Sequence, residues 1–252
     1  MDAQLLQAAT ENFSLPHDVV PLPSGGIFYK SKKSSIKVGY LTANDENIII
    51  SSATNQKDNL VLTLLRSKIY EHDLRPDELL EGDVQAILIF LRNTSFGTEY
   101  TLNIEDASTG KFFETTVSLD EMDIKKTSVK PNEEGLFVTT LPKSGAEVKL
   151  KLLTYSEIIE LENMADEYPV GRVAPKITWR LNKQIVELNG NRDKGTIAKY
   201  IEQMPISDSK YIRNFLRENQ PGLDLKKNVK TPSGEVVTVE VAFGADFFRP
   251  FF

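Results

Sequence analysis

The same order of predicted turn, strand, helix and hairpin occurs twice along the 252 residues. This repetition is the feature of the sequence that most constrains the fold. The same Phe-Leu-Arg triplet begins seven residues after Asp83 and seven residues after Asp208. Each aspartate is predicted to cap a helix that ends in a cation, which suits the helix dipole at both ends. A predicted β-hairpin follows each helix, with its turn at Ser108–Gly110 or Pro232–Gly234. The repetition indicates two related units; coincidence is the alternative, because caps and hairpins are common.

The two halves also begin alike. Residues 22–26 read Leu-Pro-Ser-Gly-Gly and residues 141–145 read Leu-Pro-Lys-Ser-Gly, which are turns by composition. Segments 27–40 and 148–153 follow them as strand candidates. The shared order of turn, strand and helix supports the same internal plan.

Helix starts are predicted from capping patterns. Thr154 and Glu157 have the spacing of a capping box, in which each side chain accepts a backbone N–H of the other residue. Thr42 and Asp45 form a weaker version at the corresponding place in the first half. Between 58 and 71 the apolar residues fall on one helical stripe, which predicts a second helix there.

We therefore predict an α+β fold of two pseudo-repeated units. Each unit has a turn and strands, several helices and a closing β-hairpin. The predicted divisions are an N-terminal arm at 1–21, a first unit at 22–126, a linker at 127–140, and a second unit at 141–252 that ends in an aromatic tail.

Composition excludes several classes of protein. The absence of cysteine excludes a disulfide scaffold, a thiolate zinc site and a cysteine nucleophile. The net charge of -6 argues against nucleic-acid binding, since the only basic runs are the short ones at 30–33 and 226–230. No apolar run approaches the ~20 residues of a membrane span, and residues 1–12 lack the basic flank of a secretion signal. We expect no nucleic-acid partner, no membrane span and a location in the cytoplasm where the chain is made.

The sequence contains no recognisable pattern of catalytic, phosphate-binding or metal-binding residues. The two histidines are His17 and His72, and a lone histidine is usually structural or solvated. Residues 190–196 resemble a phosphate loop, but Lys194 precedes the second glycine and no strand is predicted before the segment. We therefore interpret 190–196 as a loop and helix N-terminus. No catalytic residue, cofactor site or metal site is predicted.

Paired carboxylates need a separate explanation, because two facing acids could act as a general acid and base. They lie on predicted helix surfaces, where solvation or capping explains them better. The pairs are Glu78 with Glu81, Glu157 with Glu160, and Asp166 with Glu167.

The aromatic C-terminus is the most distinctive segment. Chain ends are usually polar, whereas exposed aromatic clusters mark interfaces. We therefore treat the tail as a candidate anchor into a partner; packing into its own core is the alternative. The candidate interface residues are Phe247, Phe248, Arg249, Phe251 and Phe252.

Several segments, taken in order, resemble the baseplate hub family of T4-like phages, over roughly residues 20 to 250. The segments are 22–29 (Leu-Pro-Ser-Gly-Gly-Ile-Phe-Tyr), 79–83 (Leu-Leu-Glu-Gly-Asp), 88–92, 95–97 (Ser-Phe-Gly), Tyr100 and 247–250 (Phe-Phe-Arg-Pro). Many members of that family carry CxxC-type pairs at the hairpins, like small zinc ribbons. This chain has Ala-Ser-Thr-Gly at 107–110 and Thr-Pro-Ser-Gly at 231–234. The resemblance thus implies metal-free, zinc-ribbon-like hairpins held by strand pairing and packing.

The resemblance also implies a function. A member of this family would act in formation of the baseplate hub, as a hub subunit or an assembly factor. Its partners would be other hub or tail proteins, and copies of itself are a further candidate partner. It would be found in the host cytoplasm during assembly and, for a subunit, in the tail baseplate of the virion. The alternatives are a transient assembly chaperone absent from the virion, a carboxylate-dependent hydrolase on another fold, and a nucleic-acid-binding accessory protein.

Overall fold

The computed structural model describes residues 16–52, 60–120, 122–243 and 245–248. Residues 1–15 of the predicted N-terminal arm lie outside these ranges. The described chain is a mixed α+β structure with small antiparallel sheets, which confirms the predicted fold class. None of the helices within these ranges has the length and apolar character to span a bilayer.

The first half contains strands β1 and β2, three helices, and a hairpin of β3 and β4. Their bounds are β1 His17–Pro21, β2 Ser35–Gly39, α1 Ala43–Ser52, α2 Leu60–Lys68, a 3₁₀ turn Pro76–Glu78, α3 Glu81–Phe96, β3 Glu99–Asp106 and β4 Lys111–Ser118.

The second half begins with two strands, continues through helices and one further strand, and closes with a hairpin of β8 and β9. Their bounds are β5 Phe137–Thr140, β6 Glu147–Leu150, α4 Tyr155–Asp166, α5 Lys176–Gln184, β7 Ile185–Leu188, α6 Lys194–Glu202, α7 Ile206–Asn219, β8 Lys226–Lys230, β9 Val236–Glu240 and a 3₁₀ turn Ala245–Phe248. β5 lies inside 127–140, the segment predicted as a linker, and the division of the chain into units stays a prediction.

Both predicted hairpins form, β3 with β4 and β8 with β9. β1 pairs with β2, whereas β5, β6 and β7 form a three-stranded sheet with β6 in the centre. The sequence did not predict β7, because four residues show too little alternation to indicate a strand. The correspondence of the two halves as pseudo-repeats stays a prediction.

Local capping explains where helices start. Thr154 Oγ1 accepts from the Glu157 backbone N–H at 3.2 Å, and Glu157 Oε2 accepts from the Thr154 N–H at 3.1 Å. The predicted capping box is therefore confirmed. At α1, Asp45 accepts from the Thr42 backbone N–H at 2.7 Å and also pairs with Lys68 in a buried ion pair.

The main hydrophobic core contains side chains from both halves of the chain. Ile36 and Leu88 from the first half and Val148 and Ile212 from the second are each 1% exposed or less. Burying one such aliphatic side chain stabilises the fold by ~1.5–3 kcal/mol. A smaller cluster under α4 and α5 contains Leu153, Ile158, Leu161 and, at its edge, Trp179.

The two halves meet closely at the start of α3. A Cβ at Gly82 would lie 2.1 Å from the Pro221 carbonyl oxygen and 2.5 Å from the Gly222 Cα, which no real side chain tolerates. Nearby, the Tyr155 N–H donates to the Leu79 carbonyl at 2.7 Å. Glycine is thus required at 82 for close backbone approach.

Candidate functional site

Asp83 is buried and binds the first Leu-Pro turn. Its carboxylate accepts from the Ser24 backbone N–H at 2.8 Å and from the Tyr29 hydroxyl, and Tyr29 in turn accepts from the Leu80 N–H at 2.9 Å. Burial raises the pKa of the Asp83 carboxyl, although its hydrogen bonds act in the opposite direction. Asp83 therefore fixes a turn that lies 59 residues earlier in the chain.

Asp208 has the same role in the second half. Its two carboxylate oxygens accept from the backbone N–H groups of Lys143 at 2.8 Å and Ser144 at 3.0 Å. Burial would raise the pKa of Asp208, but a hydrogen bond from the Ser144 hydroxyl, together with those from the two N–H groups, outweighs that effect and holds the pKa below its usual range. The second Leu-Pro turn is thereby joined to α7.

The prediction that these two aspartates cap their own helices is wrong. Each is the third residue of its helix, and the N-cap positions belong to Leu80 and Pro205. At the third position a carboxylate still lies near the positive end of the helix, but it points to a distant turn. Capping rules are local and do not contain this information.

The tips of the two closing hairpins are joined by Asp106. This residue is 1% exposed and accepts from the Ser233 N–H at 3.1 Å, the Ser233 hydroxyl at 3.0 Å and the Ser108 N–H at 3.0 Å. Among the described residues, no group of three or more His, Asp or Glu side chains could hold a metal ion. Hydrogen bonding between Asp106 and Ser233 is what connects the predicted zinc-ribbon-like turns.

Four of the six paired carboxylates have structural partners, and the other two, Asp166 and Glu167, are exposed. Glu78 accepts from Arg75 at 2.8 Å, and Glu160 pairs with Lys183 at 2.8 Å. Glu157 closes the capping box described above, and Glu81 accepts from the Gln220 side-chain amide at 2.9 Å. Capping and solvation, the explanations expected from the sequence, apply to Glu157 and to the exposed Asp166 and Glu167, whereas Glu78, Glu81 and Glu160 bind neighbouring side chains.

Residues 190–196 form a loop and the start of α6, as expected, although a strand does precede them. β7 ends at Leu188, so the argument that no strand precedes the segment is wrong. The N-terminus of α6 is nevertheless occupied, because the Asp193 carboxylate accepts from the Thr196 N–H at 2.7 Å. An anion would meet this negative charge, so the helix start is closed to phosphate.

The aromatic residues before the chain end lie in the protein's own core. Phe247 and Phe248 are 1% and 2% exposed, and their ring centroids are 5.1 Å apart. Packing into the core, the intramolecular alternative, therefore describes these two rings. Arg249, Phe251 and Phe252 lie outside the described residues.

Arg92 binds the segment that contains Phe247 and Phe248. The buried guanidinium donates to the backbone carbonyls of Phe247 at 3.1 Å, Gly97 at 2.7 Å and Glu99 at 2.9 Å. It also lies 5.1 Å from the centre of the Tyr100 ring. Burial lowers the pKa of Arg92, and carbonyl oxygens and a ring face compensate the charge. The arginine of the first Phe-Leu-Arg triplet thus binds the C-terminal segment rather than ending its helix.

The family comparison covers nearly the whole described chain. Residues 22–249 match the family described as T4 bacteriophage base plate protein. No curated protein and no solved structure shows a significant match. The matched range contains both Leu-Pro turns, the aspartates that bind them (Asp83 and Asp208), and both joined hairpins. The chain belongs to the T4 bacteriophage base plate protein family.

Proposed function

We propose that this chain acts in formation of the baseplate hub, as a hub subunit or an assembly factor, through protein–protein contacts. The observation that carries the proposal is the family match over residues 22–249. The ordered segments that resemble the hub family, from the first Leu-Pro turn to the Phe-Phe-Arg-Pro ending, support the hub within the baseplate.

The use of the buried carboxylates supports a role without a chemical step. Asp83 and Asp208 hold turns, and Asp106 joins two hairpins. A catalytic acid or base needs a carboxylate that faces a substrate with its proton free to move. In this protein these three groups accept hydrogen bonds that maintain the fold.

In this proposal the end of the chain contacts a partner protein. Phe247 and Phe248 anchor the segment in the core, and the residues that follow, Arg249, Phe251 and Phe252, supply a cation and two aromatic rings. Aromatic and arginine side chains are enriched among residues that dominate binding energy. The partners are other hub or tail proteins of the phage.

Deletion of residues 249–252 tests the tail. The truncated chain should keep the melting temperature of the full chain, because it retains the buried Phe247 and Phe248, and should lose hub-protein binding in co-purification. The matched control is Phe247→Ala, which should lower the free energy of unfolding by about 3–5 kcal/mol. Unchanged binding after the deletion would remove the tail from the proposal.

Co-purification and particle composition test the function itself. A tagged chain isolated from infected cells should carry hub or tail proteins with it, and their absence would contradict the proposal. Mass spectrometry of purified virions then separates the two forms of the proposal: a hub subunit is present in the particle, whereas a transient assembly factor is absent.

A further inference from the structure

The connection between α4 and α5 exposes apolar side chains. Within residues 167–175, Val170 and Val173 are 104% and 92% exposed. The base of the loop is closed by Tyr168 and Trp179, whose ring centroids lie 5.6 Å apart. Two branched aliphatic side chains are therefore presented to solvent on a supported loop, an arrangement that marks interaction sites.

An apolar groove lies on another surface, between β1, α3 and the segment that follows β4. Its volume is about 450 Å³. A cavity of roughly 150 Å³ holds one benzene-sized group, so the groove has room for two valine side chains. Its apolar lining includes Val19, Pro21, Ile89, Phe90, Met122 and Ile124.

Charge as well as shape relates the loop to the groove. Arg172 lies between the two exposed valines, and the exposed Asp120 lines the groove. In the described part of the chain neither side chain has an ion-pair partner; Asp120 accepts from the Ser118 hydroxyl. A loop that carries two valines around a cation matches a groove that carries an anion beside apolar walls.

We propose that the loop at 167–175 of one copy binds the apolar groove of a second copy, with Arg172 beside Asp120. The proposed contact joins two different surfaces head-to-tail and repeats from copy to copy. This self-association is independent of the hub assignment, since it follows from the two surfaces alone.

Sedimentation velocity of the full chain over a range of concentrations tests the proposal. The wild-type protein should associate as its concentration rises. The double variant Val170→Asp and Val173→Asp should weaken association about tenfold or more, because burying unpaired carboxylates is costly. Ile124→Asp should do the same from the groove side, with circular dichroism to verify its fold. The control is Val236→Asp, at another exposed valine, in β9.

A charge exchange provides the sharpest form of the test. Arg172→Glu and Asp120→Arg should each be monomeric alone, since each puts like charges together in its own contact. An equal mixture of the two variants should associate again, in alternating order, because every contact in the mixture pairs opposite charges. A wild-type protein that stays monomeric, or association that is unaffected by the loop and groove variants, would overturn the proposal.

Discussion

At the level of single residues, Asp83 and Asp208 are each the third residue of a helix and each bind a Leu-Pro turn, yet their chemistry differs. Asp83 shares its carboxylate between a backbone N–H and a tyrosine hydroxyl, and burial raises its pKa. Asp208 accepts two backbone N–H groups, and its pKa is lowered. This difference leads to opposite pH dependences.

Asp208→Asn should lower the free energy of unfolding by about 1–3 kcal/mol at pH 7, because an amide has one acceptor oxygen for two backbone donors. A lowered folded-state pKa means that the stabilisation is present above the unfolded pKa, about 3.9, and is lost as pH falls through the folded value. Urea denaturation of variant and wild type at pH 7 and pH 3 should show the difference shrinking in acid.

Asp83→Asn should behave in the opposite way. A raised folded-state pKa means that the stabilisation by the carboxyl is full below the unfolded pKa and is lost as pH rises through the folded value. Asparagine is neutral at every pH and keeps an acceptor for the Ser24 N–H, so the variant should lose less stability at pH 7 than Asp208→Asn. A larger loss for Asp83→Asn at pH 7, in the same urea measurements, would contradict the assigned environments.

At the level of elements, the contact between α3 and the segment after α7 depends on a glycine. Gly82→Ala should lower the free energy of unfolding by about 2 kcal/mol or more, since the added Cβ would overlap backbone atoms of Pro221 and Gly222. Gly195→Ala is the matched control, because Gly195 is also the second residue of a helix and meets only the Asp193 side chain, at 3.3 Å. The free energy of unfolding of the control variant should rise by about 0.5–1 kcal/mol, because alanine favours the helix more than glycine does. Equal effects in thermal denaturation would contradict the packing argument.

A second prediction at the level of elements concerns the contact between the two hairpin tips. Asp106→Ala should lower the free energy of unfolding by about 2–3 kcal/mol, because it leaves the donors of Ser233 and Ser108 without their acceptor. Hydrogen exchange should become faster at the β8–β9 turn, 127 residues away in the chain. Asp224→Ala, at an exposed residue just before β8, is the control and should leave that turn protected. Unchanged exchange in Asp106→Ala would show that the tips are held by other contacts.

The elements that sequence reasoning predicted are those with local signals. The Thr154 capping box and both hairpins depend on residues close together in the chain, and they form as expected. β7 was missed because its strand character comes from pairing with β6, about 40 residues earlier. The roles of Asp83 and Arg92 were missed for the same reason, since their partners are distant in sequence.

At the scale of the whole molecule, one hydrophobic core contains side chains from both halves. We therefore expect one cooperative unfolding transition, because neither half can open without exposing apolar surface of the other. The only tryptophan, Trp179, reports on the second half, whereas far-UV circular dichroism reports on all helices. Their denaturation midpoints should coincide, and two separated midpoints would indicate that the halves unfold independently.

The family membership, the structural use of the buried carboxylates and the surfaces described above together support a protein that works by binding other proteins of the phage tail. The most direct measurement is sedimentation of hub and baseplate intermediates from an infection that lacks this chain. If this chain acts in hub formation as proposed, hub proteins should accumulate unassembled, and supplying the wild-type chain should restore baseplates. Normal baseplates in the absence of the chain would contradict a role in hub formation.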